Sequence, residues 1–233
     1  MNWRMKALTF GLACTLWCFT ARPAPAFDVI LDPKIVSQLL AEIAKFRSES
    51  ENGKDKEAQL EALYEMGERV LDLTELMTQD LESHGSNDPS LTALIERRLK
   101  EQGVAIAKYE AVYHYDLAAF REYLRRAPSG KRAVDARYAL IGFDEPGDDV
   151  AALQKSMAAK ERFIREYPKY ADVSVAELLL AQQHNQLARV YSAQHKQALS
   201  DQQRKLAQDQ YRRIIRLYPN SEEAETARDA LNP

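Results

Sequence analysis

Tyr211–Leu231, YRRIIRLYPNSEEAETARDAL, reads as one helix, a Tyr-Pro stop and at once a second helix. Proline ends the first helix because its ring removes a backbone donor and clashes with the preceding turn. Asn220 is placed to cap the second, with Glu223 reaching back to it. The same register occurs twice upstream, in FREYLRRAPSGKRAVDARYAL around Pro128 and in KERFIREYPKYADVSVAELLL around Pro168. Two apolar residues stand five and four positions before each proline: Tyr123 and Leu124, Phe163 and Ile164, Ile214 and Ile215. Arg125, Arg165 and Arg216 come three before, in a last helical turn where a cation suits the helix dipole. Ala133, Val173 and Ala224 follow at five, Ala136, Ala176 and Ala227 at eight, and Leu140, Leu180 and Leu231 at twelve. One such coincidence means little; all of them in one register mean an internal repeat of a helix–turn–helix unit. Pro128, Pro168 and Pro219, with those alanines and leucines, are the expected repeat-packing residues. Ser129 is expected to cap the helix after Pro128. Lys169 cannot cap, so the middle unit is expected to start its helix later, at Asp172.

Upstream, DPKIVSQLLAEIAKF offers Asp32 as N-cap and Pro33 at the first helical position, with Ile35, Leu39, Ile43 and Phe46 at helical spacing. A polar break precedes a helix expected over 57–83, where Leu60, Leu63, Gly67, Val70, Thr74, Met77 and Leu81 form a coiled-coil-type seam with two weak positions, Gly67 and Thr74. Two readings of that region stand: a hairpin within one chain, or a short coiled coil between chains. Asp88-Pro89 restarts a helix whose pattern runs from Leu91 to Ala127, a length of about 55 Å if unbroken, with a break expected at Gly103. The expected division is therefore 1–26 signal peptide, 27–87 N-terminal helical hairpin or coiled coil, and 88–233 helical repeats. The fold class is all-α.

Residues 1–26 have the order of a secretory signal: Arg4 and Lys6, the apolar run ALTFGLACTLWCF, then ARPAPA with cleavage expected after Ala26. The run is shorter than the roughly 20 residues a membrane span needs. Both cysteines, Cys14 and Cys18, fall inside this segment, and neither sits in a good lipid-attachment sequence, so a lipid-anchored form is not expected. The processed chain has no thiol and relies on packing alone. Loss of Arg4, Lys6 and Arg22 without any acid moves the net charge from −3 to about −6, which disfavours nucleic acid as a partner.

FIREYPKYADVSVAELLLA and YRRIIRLYPNSEEAETARDAL resemble the tetratricopeptide-repeat superfamily, in its envelope branch with the Tyr-Pro-x-Ser-x-x-Ala signature; outer-membrane-assembly lipoproteins and Tol–Pal-associated division coordinators belong to that branch. The resemblance runs from Ile106 to the end. It implies a TPR-like α-solenoid, a periplasmic location and protein–protein interaction on stacked helix pairs, without catalysis or cofactor. The repeat spacing of 40 and 51 residues exceeds the usual 34 or so.

Catalytic motifs are missing from the sequence, and no catalytic, cofactor-binding or metal-ligating residue is assigned. His184 and His195 lie eleven residues apart, about 16 Å along one helix, too far for one ion. Asp144, Glu145, Asp148 and Asp149 in FDEPGDD lack the ligand order of a calcium loop and read as a solvated turn with an Asp capping the next helix. Arg121, Arg125, Arg126, Lys131, Arg132 and Arg137, against Glu122 and Asp135, leave about +4 locally, suited to an acidic partner or solvated as a helix face. Tyr123, Tyr167 and Tyr218 stand at repeat positions and are expected to pack, whereas Tyr113, Tyr115 and Tyr138 are freer to line a groove. With Arg121, Arg126 and Arg132 they form the expected partner-binding set. The expected function is an adaptor or scaffold of a bacterial envelope that binds other envelope proteins. Self-association through the N-terminal helices, and peripheral membrane or cell-wall contact, are the alternatives.

Overall fold

The computed structural model describes residues 31–85, 88–109, 112–143 and 146–232; the signal-peptide reading lies outside them. The described chain is helical except for one hairpin. It forms two compact units that divide at Ala136/Arg137 and not at the expected 87/88.

In the first unit, α1 (Pro33–Asn52) starts as expected, with Asp32 Oδ1 accepting the Lys34 N–H at 2.8 Å. Asp55 caps α2 (Lys56–His84) by accepting from Ala58, and Gly85 at φ 71° ends it. Asp88 accepts from Ser90 and Leu91 at the head of α3 (Pro89–Glu101). Gly103 then takes φ 70°, and its neighbour Val104 donates back to Leu99 at 2.9 Å, a Schellman stop that only a residue tolerant of the left-handed region makes cheaply. The expected break is there.

Beyond Gly103 the chain is not the continuing helix expected over 91–127. Strands β1 (Ile106–Tyr109) and β2 (Val112–Tyr115) pair antiparallel, with Ile106 opposite Tyr115 and Tyr109 opposite Val112. Ile, Val and Tyr favour a pleated, half-buried surface, and the hairpin lies on α2, where Thr78 Oγ1 accepts the Tyr113 N–H at 2.9 Å. Helix resumes as α4 (Ala118–Arg126).

The α2 seam is filled by its own chain. Leu63, Val70, Thr74, Met77 and Leu81 are buried beneath α1, α4 and β2. The weak position Gly67 is where α4 comes closest: a Cβ there would lie 2.8 Å from the Phe120 ring. Thr74 satisfies its hydroxyl by donating to the Val70 and Leu71 carbonyls. The region is thus a helical hairpin with added layers, and the seam is not an open coiled-coil face.

Helix α5 (Ala133–Gly142) begins at the end of the first unit. The second unit continues through α6 (Val150–Glu166), α7 (Val173–Ala193), α8 (Gln197–Leu217) and α9 (Glu222–Leu231). Helix α7 is its centre. One side packs Leu180, Leu187 and Tyr191 on Leu153 and Met157 of α6. Another packs Leu178 and Ala181 on Ala207, Tyr211 and Ile214 of α8 and on Ala224 and Ala227 of α9.

The three proline joints share one conformation. Each preceding helix ends two residues before its proline, and the cap residues Ala127, Tyr167 and Tyr218 adopt φ/ψ of −145/72°, −127/55° and −129/52°. Each cap N–H donates to the residue five before the proline, Tyr123, Phe163 or Ile214, at 2.8 Å. Gly130, Tyr170 and Ser221 then donate to the cap carbonyl at 3.0 Å, and Ala133, Val173 and Ala224 donate to the carbonyls of those residues. The residues five before and eight after are all buried, and Ala136, Ala176 and Ala227 are fully so. Pro128, Pro168 and Pro219 are exposed, so they act by stopping the helix and not by packing. Leu180 is buried and Leu140 and Leu231 are half-buried. Caps differ from expectation at two joints. Ser221, not Asn220, caps α9 by accepting from Ala224, and α5 starts at Ala133, beyond the reach of Ser129. The middle helix does start after Asp172.

Helix α7 ends in a second Schellman stop, with Lys196 donating to Tyr191 at 2.9 Å and His195 held at φ 58°. A β-carbon is disfavoured there, so His195→Gly is expected to stabilise the protein by about 0.5–1 kcal/mol. Thermal denaturation of the variant reads this, and a lowered melting temperature would contradict the strain assigned to His195.

Candidate functional site

The expected partner-binding residues divide between the two units, five in the first and Tyr138 in the second. Tyr113 and Tyr115 are each 7% exposed and belong to the core of the first unit. Tyr115 has a structural duty: its hydroxyl accepts the Ala119 N–H at 2.9 Å and caps α4, whose own cap position, Leu117, provides no side-chain acceptor. Burial pushes the Tyr115 phenol up to about 12, so it remains protonated while it does this. Tyr138 belongs to the second unit, where its ring packs on Phe163 and Tyr170 at centroid distances of 5.8 and 5.0 Å. Its hydroxyl is buried without a hydrogen-bond partner among the described residues, and burial raises its pKa.

The arginines are largely neutralised. Arg125 and Arg126 both bond Glu122, whose carboxyl they hold down to about 2. Arg121 pairs with Asp116 at 3.4 Å. Arg132 reaches α2, bonding Glu61 through Nε at 2.9 Å and Nη2 at 2.7 Å, with its guanidinium over the Tyr64 ring at 5.1 Å. These bonds raise the Arg132 pKa and fix the first proline joint to the hairpin. The acid that cancels Arg132 lies 71 residues away in the chain, which is why the sequence overstated a basic patch. Beside this pair a cleft of about 300 Å³ is lined by Lys56, Glu57, Leu60, Glu61, Tyr123, Gly130 and Lys131.

A surface that the sequence reading missed lies on α8. Leu199, Leu206 and Leu217 are 41%, 41% and 47% exposed, and steps of seven and eleven residues put all three on one side of the helix. Lys205 and Arg216, exposed and without an ion-pair partner among the described residues, neighbour that stripe. Polar residues on the same side of α8 tie it to α7. Gln203 bonds His184 at 2.7 Å, and Gln210 and Arg213 bond Glu177, a carboxylate only 1% exposed that also accepts from the Tyr218 hydroxyl. The seven- and eleven-residue spacing was available in the sequence as a signal, but it could not be told from a buried face.

Chemistry-bearing side chains meet at one further point. Ser156 Oγ accepts from Lys160 Nζ and from Gln183 Nε2, both at 2.8 Å. Serine and lysine are 3% and 1% exposed, and the Gln183 bond links α6 to α7. No group of three or more metal-ligating side chains converges among the described residues. Asp149 caps α6 by accepting from Ala152 at 2.7 Å, the role expected for an acid of that turn; Asp144 and Glu145 lie outside the described residues. No described helix is long and apolar enough to cross a membrane. Comparison with family models, curated proteins and solved structures finds no match to this chain.

Proposed function

We propose that this chain is a non-catalytic, exported adaptor or scaffold of a bacterial envelope that binds partner proteins through TPR-like stacked helix pairs. The observation that carries the reading is the threefold recurrence of one helix–proline–helix joint with the same hydrogen bonds. Repeated pairs gain stability from their neighbours and leave long helical faces available for docking. The α8 face supports this, since its three leucines flanked by Lys205 and Arg216 suit an acidic amphipathic segment. The signal-like order of residues 1–26 supports export. The alternative of self-association through 60–81 is weakened, because that seam is already covered by α1, α4 and β2.

Crosslinking in intact envelopes with affinity recovery tests the proposal. A reproducible protein partner is expected, with recovery falling about tenfold for Leu206→Glu combined with Arg216→Glu. Both positions are exposed, so the variant should keep its fold, which circular dichroism checks. Recovery of no partner, together with hydrolytic activity in the purified protein, would sink the adaptor reading.

A further inference from the structure

On another side of α8, away from the leucines, the second unit has a cleft of about 240 Å³ among α7, α8 and α9. It is lined by Asn185, Arg189, Arg204, Gln208, Tyr211 and Ala230. Each polar side chain in that lining carries a hydrogen-bond donor, and no carboxylate is among them. Helical spacing produces the convergence. Asn185 and Arg189 are four apart on α7, while Arg204, Gln208 and Tyr211 follow at four and seven on α8.

The donors are largely uncommitted. Arg189 has no ion-pair or hydrogen-bond partner among the described residues. Arg204 has only Asp201, on its own helix at 3.4 Å and outside the cleft lining. The Tyr211 oxygen accepts from Asn185 Nδ2 at 3.1 Å, which leaves its O–H to donate elsewhere. Burial is the main cause that raises the Tyr211 phenol, so the donor persists across the neutral range.

We propose that this cleft binds a phosphate group. One guanidinium fork satisfies a planar carboxylate. Two guanidiniums from separate helices, with a phenol and two amides, suit a tetrahedral dianion that presents oxygens in several directions. The site is independent of the adaptor reading, because it uses none of the α8 leucines and does not require a protein partner.

The test is titration of the purified protein with inorganic phosphate and, separately, O-phosphoserine, at constant ionic strength set by chloride. Side-chain N–H resonances of Asn185, Arg189 and Arg204 are followed by NMR. Saturable shifts are expected with both ligands. Tighter binding of phosphoserine assigns the group to a phosphorylated molecule, and tighter binding of inorganic phosphate assigns it to the free ion; either supports the site. Arg189→Gln and Arg204→Gln should each weaken binding about tenfold. Tyr211→Phe should weaken it several-fold with the fold retained. Absence of saturation, or undiminished binding in the double arginine variant, overturns the proposal. Acetate binding as tightly as phosphate overturns the tetrahedral assignment.

Discussion

Phe120→Ala is expected to lower unfolding stability by about 3–5 kcal/mol, because a fully buried ring is removed from a packed site. The ring stands against α2 at Gly67 and makes an edge contact with Tyr64 at a centroid distance of 5.4 Å. A companion substitution makes the assignment sharper. Gly67→Ala in an otherwise unchanged protein gains about 1 kcal/mol of helix propensity but pushes a methyl into the ring, at an overpacking cost of about 1–3 kcal/mol. The net change should be destabilising. In the Phe120→Ala background the methyl has room, and the same substitution should stabilise by about 1 kcal/mol. Urea denaturation of the four proteins yields this double-mutant cycle. If Gly67→Ala has the same effect in both backgrounds, α4 does not rest on α2 as described.

Ile214→Ala is the second large loss, expected at about 2–5 kcal/mol. Its side chain is fully buried among Leu178, Ala181, Ala207, Tyr211, Ala224 and Ala227. Its neighbour Ile215 is only partly buried against the same cluster, and Ile215→Ala should cost clearly less, about 1 kcal/mol. Equal losses from the two would mean that the residue five before the proline has no special place in the joint. The same contrast extends to Phe163 and Ile164, where the first is 3% exposed and the second half-buried. In all three joints the position that accepts the cap N–H is also the one buried. One helical turn therefore fixes the stop and the core contact together.

The joints were legible because their causes are local. Proline acts on the turn before it, a cap acts across three residues, and an alanine repeated at one offset marks a close approach wherever it occurs. Asp32-Pro33, Asp88-Pro89 and the break at Gly103 were readable for the same reason. Ser221 displaced Asn220 as a cap by one residue, within the range over which local chemistry gives near-equal choices. The hairpin at 106–115 was not legible. Its strands are four residues each, and their apolar and tyrosine residues fit a continuing helix until α2 provides a surface for them.

The candidate site was less legible still, because a side chain's role depends on what the fold brings to it. Tyr115 reads as available in the sequence, but its hydroxyl caps Ala119, and the charge of Arg132 reads as free, but Glu61 neutralises it in an ion pair. Conversely, Leu206 stands exposed with Leu199 and Leu217 on one side of α8, and Arg189 and Arg204 meet only because two helices set them around one cleft. From the sequence alone come the helical class and the repeated proline joint with the residues that stop its helices, all governed by sterics and hydrogen bonds within a turn or two. The tertiary structure decided which tyrosines are core, which charges are cancelled and where donors converge, because these depend on partners that lie on different helices and, for the Arg132–Glu61 pair, 71 residues apart.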